Sequence, residues 1–333
     1  MISDGANEGP VVVAVDGSDH SLKALHWALP AARAAGTELV VAHVLPDHAQ
    51  LWQARREAVV GTPAEAAADP VEAYVREHVD VDAEEELPPL RFESLTGEVA
   101  GALSARAAGA AMLVLGSRGR GGFASLLLGS TSRACATTAP CPVVVVPHGA
   151  REAGPPEDRE EATGEEGAEQ EGAATRDWNA GGRVVVGVNP SDTSDEVVDF
   201  AFRRAAERGL GVLAVTAFLD PVAPLPLVAT PMPVASLSEA DVAPLLREIE
   251  RAQQERLAAA RAAYPDVPVE NLIGPGDAAG QLVALSKTAA LLVVGRHRVR
   301  TQSLIMGSVA NAALQHAQCP VAVVPGSRSQ KAS

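Results

Sequence analysis

The sequence Ala111-Met112-Leu113-Val114-Leu115-Gly116-Ser117-Arg118-Gly119 places an apolar run directly before a turn bounded by glycines. The apolar run is typical of a buried β-strand, and glycine lets the turn approach a ligand closely. After nine further residues, Gly129-Ser130-Thr131 opens a stretch with helical periodicity. A helix start offers backbone N–H groups and the positive end of a dipole. Loop and helix start together predict a cradle for an anion such as phosphate, although an ordinary glycine-rich turn has the same spacing.

The chain repeats one unit. Three segments recur at the nearly constant offsets of 173, 179 and 178 residues: Val12–Ser18 and Val185–Ser191, Leu113–Gly116 and Leu292–Gly295, Pro142–Pro147 and Pro320–Pro325. Near-constant offsets over a whole domain length indicate a duplication.

Short Val-rich runs alternate with helical stretches in each copy. Strands are predicted at 11–16, 38–45, 89–95, 111–116 and 142–147, and again at 183–188, 211–218, 267–272, 290–295 and 320–325. Helices of the first copy are predicted at 19–35, 65–80, 98–109 and 128–138. Continuous apolar strands separated by helices predict α/β domains, here two tandem doubly wound parallel five-stranded sheets with helices on both faces.

The length of 333 residues fits two domains. We predict a first domain over 1–148, a linker over 149–182, a second domain over 183–327 and a tail over 328–333. The segment from Gly149 to Asp177 contains ten acidic and three basic residues and has no apolar periodicity. Such a segment cannot bury enough surface to order itself, so the linker is predicted to be disordered.

Composition excludes several classes of partner. The formal net charge is −15, whereas nucleic acids and anionic membranes attract basic surfaces, so neither is an expected partner. The three cysteines form no CxxC pair, and no 18-residue apolar run or charged-then-apolar leader is present. A cytoplasmic protein is expected, without a metal site made by the protein.

Several motifs of the first copy resemble the universal stress protein family in their order along the chain. Gly-x2-Gly-x9-Gly-Ser resembles the phosphate-binding loop of that family, and Val12–Ser18 resembles its opening strand and adenine-side aspartate. Ala42-His43-Val44 resembles the end of its second strand, and Ala139–Pro147 resembles its closing strand. The resemblance extends over nearly all of both copies and leaves out the linker.

The resemblance implies an ATP site in the first domain. Asp16 would accept hydrogen bonds from ribose or adenine, Val44 would pack on the base, and the glycine loop would surround the phosphates. The residues implied are Ala14, Val15, Asp16, Val44, Leu115, Gly116, Ser117, Arg118, Gly119, Gly129, Ser130 and Thr131. Judged from the residues alone, Asp16 also suits a helix N-cap, and Val44 equally suits a core position.

The second copy departs from this pattern. Asn189 stands where Asp16 stands, Arg298 falls where Gly119 would, and the loop from Gly295 to Gly307 is one residue shorter. Gly307-Ser308 keeps a helix start available to an anion. A weakened second site is therefore expected, with Asn189, Gly295, Arg298, Gly307 and Ser308 as its residues.

The implied function is a nucleotide-dependent stress-response or regulatory module, with at most slow ATP hydrolysis and any Mg²⁺ held mainly by phosphates and water. An adenylate-handling enzyme, either an ATP hydrolase or a nucleotidyl transferase, and a scaffold that binds no nucleotide are the alternatives. The family resemblance also implies pairing of the two domains through their closing strands, Pro142–Pro147 and Pro320–Pro325, with a homodimer as a further option.

Overall fold

The computed structural model describes residues 9–45, 70–78, 87–119, 128–149, 179–218, 239–296 and 306–326. Its strands are β1 (Val11–Ala14), β2 (Leu39–Leu45), β3 (Leu90–Thr96), β4 (Met112–Gly116), β5 (Val143–Val146), β6 (Val184–Gly187), β7 (Val212–Phe218), β8 (Val269–Pro275), β9 (Leu291–Arg296) and β10 (Val321–Pro325). Its helices are α1 (Asp19–Ala34), α2 (Pro70–His78), α3 (Val99–Arg106), α4 (Ser130–Thr138), α5 (Asp195–Glu207), α6 (Glu239–Ala263), α7 (Ala278–Leu285) and α8 (Ser308–His316).

The described strands form one sheet in the order β3-β2-β1-β4-β5-β10-β9-β6-β7-β8. Neighbouring strands within the first half, β1 to β5, and within the second half, β6 to β10, are parallel. The halves meet at β5 and β10, which run antiparallel with Val144 opposite Ala322. The α/β class is confirmed, and the two five-stranded sheets are joined into one sheet of ten strands.

Two apolar cores cover the two faces of this sheet. Successive residues of a strand point to opposite faces, so Val12 and Val13 belong to different cores. Helices α1, α2, α5 and α6 cover the face of Val13, and α3, α4, α7 and α8 cover the face of Val12. Each core contains buried residues of both halves, including Val144 with Ala322 on one face and Val145 with Val321 on the other.

The strand predictions agree with nine of the ten strands to within two residues at each end. The exception is β8, which extends to Pro275 rather than ending at 272. This strand lies at the edge of the sheet and only one of its residues is fully buried, so no continuous apolar run marks its end. The predicted helix at 65–80 is described only over α2, and most of the linker, residues 150–178, and the tail lie outside the described residues.

Candidate functional site

Asp16 follows β1 and is held by the turn that leads into α1. Its Oδ1 atom accepts hydrogen bonds from the backbone N–H of Ser18 at 3.0 Å and from the Ser18 hydroxyl at 2.6 Å. Ser18, not Asp16, is the N-cap of α1, because its side chain accepts from the backbone N–H of Ser21. The N-cap alternative for Asp16 is therefore wrong, and the turn fixes the carboxylate at the carboxyl end of the strand.

The glycine loop after β4 passes very close to the first turn of α1. A Cβ atom placed on Gly116 would lie 2.5 Å from the carbonyl oxygen of His20, so only glycine fits between these backbones. The next residue, Ser117, is buried and donates its backbone N–H to the Val146 carbonyl at 2.9 Å. The Ser132 hydroxyl of α4 donates to the Gly116 carbonyl at 2.7 Å. These contacts hold the start of the loop against α1, β5 and α4.

Gly119 brings the loop back to Asp16. A Cβ atom on Gly119 would lie 2.6 Å from Asp16 Oδ2, which is the nearest heavy atom to that position. The aspartate and the phosphate-type loop, more than 100 residues apart in sequence, are thus adjacent in space. Residues 120–127, the rest of the loop, lie outside the described residues.

The far end of the loop is the start of α4. Gly129 is the N-cap of this helix, makes no side-chain cap, and donates its N–H to the Ser117 carbonyl at 2.7 Å. Ser130 and Thr131 form the first turn, with Ser130 exposed and Thr131 half-buried. No acidic residue occupies this first turn, so the positive end of the helix dipole has no carboxylate of its own there.

The remaining residues implied for the site lie along the same edge of the sheet. The side chains of Val15 and Leu115 are buried, so these residues would contact a ligand through their backbone groups. Ala14 and Val44 are partly buried and pack against the core on the Val12 face. Arg118 is half-buried, and its Cα would lie 3.4 Å from a Cβ on Gly129.

Two histidines that no motif marks lie beside this loop. The ring centroids of His20 in α1 and His148 after β5 are 4.4 Å apart. Burial, followed by the charges of His148, Arg118 and Lys23, lowers the pKa of His20. Sequence patterns missed the pair because its members are 128 residues apart and belong to different elements.

The second half contains a cavity of about 930 Å³ at the equivalent edge of the sheet. Asn189 copies the turn of Asp16, because its Oδ1 accepts from the Ser191 N–H at 3.1 Å. Gly295 is less confined than Gly116, since the one described atom that its Cβ would meet is Val197 Cγ2 at 3.3 Å. Gly307 and Ser308 begin α8 as Gly129 and Ser130 begin α4. Arg298 lies outside the described residues.

Two arginine side chains line this second cavity. Arg256 of α6 lines it and donates to Asp195 Oδ1 at 2.8 Å and to the Pro190 carbonyl at 3.2 Å. Arg296 also lines it, yet donates across the junction of the halves to the Ala139 carbonyl at 2.8 Å. Both guanidinium groups thus bind protein acceptors.

The three cysteines are buried and have no disulfide partner. Burial raises the pKa of Cys135 to about 11 and that of Cys141 and Cys319 to about 12. Thiols in such surroundings stay protonated and unreactive at neutral pH. Among the described residues, no group of three or more His, Cys, Asp or Glu side chains is placed to hold a metal ion, and no helix is long and apolar enough to cross a membrane.

Comparison with known proteins identifies the family. The family model described as "Universal stress protein family" matches the chain twice, over residues 9–147 and 181–325. The chain belongs to the universal stress protein family. A universal stress protein of Mycobacterium tuberculosis is 30% identical over 94% of this chain and 96% of its own length, so this relative is also of tandem size. The family resemblance of the first copy is therefore confirmed.

A solved universal stress protein shows the same fold. One from Archaeoglobus fulgidus covers 97% of this chain and 99% of its own chain, with 17% identity and a TM-score of 0.56. A smaller one from the same organism, solved in complex with dAMP, covers 43% of this chain and 96% of its own, with 19% identity and a TM-score of 0.29. The first of these agrees with the α/β class of the ten-stranded sheet.

Proposed function

We propose that this universal stress protein binds ATP in its first half and acts as a nucleotide-dependent stress-response or regulatory module in the cytoplasm. The observation that carries the proposal is the contact between Gly119 and Asp16, where an added Cβ would come within 2.6 Å of the carboxylate. A side chain at Gly116 would meet the His20 backbone, and one at Gly119 would start against the Asp16 carboxylate. Gly119 itself is exposed, so its backbone would be available to a phosphate chain with Asp16 beside it.

The chemical roles follow from the groups available. Asp16 Oδ2 would accept hydrogen bonds from ribose hydroxyls or the adenine amino group, while Oδ1 stays bound to Ser18. The start of α4 at Gly129, Ser130 and Thr131 would hold phosphate oxygens through N–H groups, hydroxyls and the helix dipole. Mg²⁺, where present, would be bound by the phosphates and water, since Mg²⁺ commonly keeps several waters in such sites.

The second half is proposed as the weaker partner. Asn189 preserves the turn but removes the negative charge. Arg296, which a phosphate in the second cavity would attract, instead binds the carbonyl of Ala139. Any nucleotide there would have to compete with that contact.

We further infer that the domains are 1–148 and 183–327, joined by the linker 149–182 and followed by the tail 328–333. Their association through β5 and β10 is supported by the hydrogen-bonded register of Val143–Val145 with Val321–Val323. A Val-rich closing strand with an unpaired edge favours pairing with another edge.

Mass spectrometry of small molecules released from the purified protein tests the ATP proposal. The wild type is expected to release an adenine nucleotide after denaturation and to rebind ATP when stripped. The matched variant is Asp16→Asn, which copies Asn189 and keeps an oxygen for the Ser18 hydrogen bonds, so the turn survives. This variant should release less nucleotide. A wild type that carries no nucleotide and binds no ATP would contradict the proposal.

A further inference from the structure

Four basic side chains converge beside the glycine loop of the first half. His20 and His148 stack at 4.4 Å between ring centroids with their planes tilted by 47°. Lys23, less than one helical turn after His20, donates from Nζ to the carbonyl oxygen of His148. Arg118 in the loop is close enough to act on His20 electrostatically. Three separate elements, α1, the loop after β4 and the end of β5, thus bring positive charge to one point.

This basic cluster, His20, Lys23, Arg118 and His148, adjoins the loop proposed to hold phosphate. The backbone of Gly116 is so near that of His20 that a Cβ would approach its carbonyl oxygen to 2.5 Å. On the other side, a Cβ on Gly129 would lie 3.4 Å from the Cα of Arg118. The start of the loop is therefore held between the first turn of α1 and the start of α4.

Among the described residues, the Nδ1 atom of the His20 ring lacks a hydrogen-bond partner. His20 Nδ1 is inaccessible to solvent and makes no hydrogen bond within the part of the chain that the structure describes. A buried ring nitrogen without a partner is unfavourable. An oxygen of a bound anion would supply an acceptor once the ring carries a proton on that nitrogen.

The surroundings of His20 favour the neutral form of its ring in the absence of an anion. Burial is the largest cause that lowers the pKa of His20, and the charges of His148, Arg118 and Lys23 lower it further. Asp19 at the start of α1 acts in the opposite direction. A negative ligand next to the ring would favour the protonated form and offset the cationic neighbours.

We propose that His20 and His148, with Lys23 and Arg118, form a basic wall of the nucleotide site that takes up a proton when the polyphosphate chain binds. The inference rests on the proposed ATP site and adds residues and a pH dependence to it. Linkage then requires that ATP binds more tightly as the pH falls from 8 to 6, because binding and protonation favour each other.

The two histidine positions of this wall are changed in the second half. Helices α1 and α5 both begin one residue after a serine N-cap, so Glu196 corresponds to His20. Strands β5 and β10 align at Val143 and Val321, so Gly326 corresponds to His148. A carboxylate and a glycine replace the two imidazoles, so neither of these positions offers a ring that could take up a proton.

Isothermal titration of the full-length protein with ATP, in two buffers of different ionisation enthalpy, measures the protons taken up. Wild-type affinity should rise about 3- to 10-fold from pH 8 to pH 6, with net proton uptake near pH 7. His20→Gln and His148→Gln should each reduce both effects. The control is His26→Gln, an exposed histidine on the same helix, which should match the wild type. Because ATP itself titrates in this range, the difference between variants is what counts.

The outcomes separate the two proposals. ATP binding with the same proton uptake in the wild type and in both histidine variants would overturn the basic wall and leave the ATP site standing. A wild type whose proton uptake is zero after correction for the titration of ATP itself would do the same, even where a variant folds poorly. A wild type that binds no ATP at any pH would overturn both.

Discussion

Arg296 of the second half donates from Nη1 to the carbonyl oxygen of Ala139 of the first half at 2.8 Å, and to that of Ala136 at 3.5 Å. Ala139 is the C-cap of α4, the helix whose other end is proposed to hold phosphate. A cation at a helix C-terminus satisfies exposed carbonyls and complements the dipole. The equivalent residue of the first half is Ser117, so the contact is made in one direction only.

Arg296→Ala should lower the free energy of unfolding by about 1–2 kcal/mol, because it removes charge-assisted hydrogen bonds between the halves. Urea denaturation followed by circular dichroism measures this cost. Arg251→Ala is the control, since Arg251 forms an exposed ion pair with Glu255 within α6 and should cost less than about 0.5 kcal/mol. Equal losses of unfolding free energy in the two variants would show that the contact with Ala139 adds no more stability than an exposed ion pair.

Gly116→Ala and Gly295→Ala form a matched pair at equivalent strand ends. The alanine at 116 would meet the His20 backbone at 2.5 Å, so the loop or α1 must move, at a cost of about 1–3 kcal/mol. Among the described residues, the alanine at 295 would meet just a Val197 methyl at 3.3 Å, so this change should be nearly neutral. Thermal unfolding compares the two. Equal midpoints would mean that the close approach of loop and α1 is not retained in solution.

Gly119→Arg, which copies Arg298 of the second half, should abolish ATP binding and leave the fold intact. Gly119 is exposed, yet a side chain there would start 2.6 Å from Asp16 Oδ2 and occupy the space beside that carboxylate. Gly149→Arg is the control, because no heavy atom of the described residues lies within 4 Å of the Cβ position of that glycine. Equilibrium dialysis with labelled ATP gives the readout, and unchanged affinity in Gly119→Arg would mean that this loop does not hold the phosphates.

Val144→Lys should separate the two halves. Val144 is fully buried and pairs with Ala322 across the β5–β10 junction, so a charged side chain there loses its hydration. Small-angle scattering should report a larger radius of gyration, with Val99→Lys as an exposed control on α3. A Val144→Lys protein as compact as the wild type would count against association through the closing strands.

The sequence predicts the sheet well because its strands are buried on both faces. Val143–Val146 and Leu291–Val294 are continuous apolar runs. Such runs are typical of strands in a parallel sheet that is covered on both faces. The edge strand β8 was placed less accurately, since Val269–Pro275 mixes exposed and half-buried residues. The joining of the halves into one sheet follows from pairing between distant strand edges, which local patterns do not report.

From the sequence, only those parts of the site that belong to a local motif could be predicted. The loop from Gly116 to Gly119 and the strand end at Asp16 each have a recognisable pattern, and their adjacency follows from parallel strands ending at one edge. The stacking of His20 on His148 and the reach of Arg296 to Ala139 depend on tertiary packing between residues more than 100 positions apart. The loss of the Asp16 charge at Asn189 predicts weaker nucleotide binding in the second half. The volume of the second cavity could not be derived from that substitution.

Isothermal titration with ATP at neutral pH tests the central claim most directly, because the claim assigns nucleotide binding to one half of a duplicated chain. The account predicts about one ATP bound per chain for the wild type and none for Gly119→Arg. Two equivalent sites per chain, or binding that survives Gly119→Arg, would contradict it.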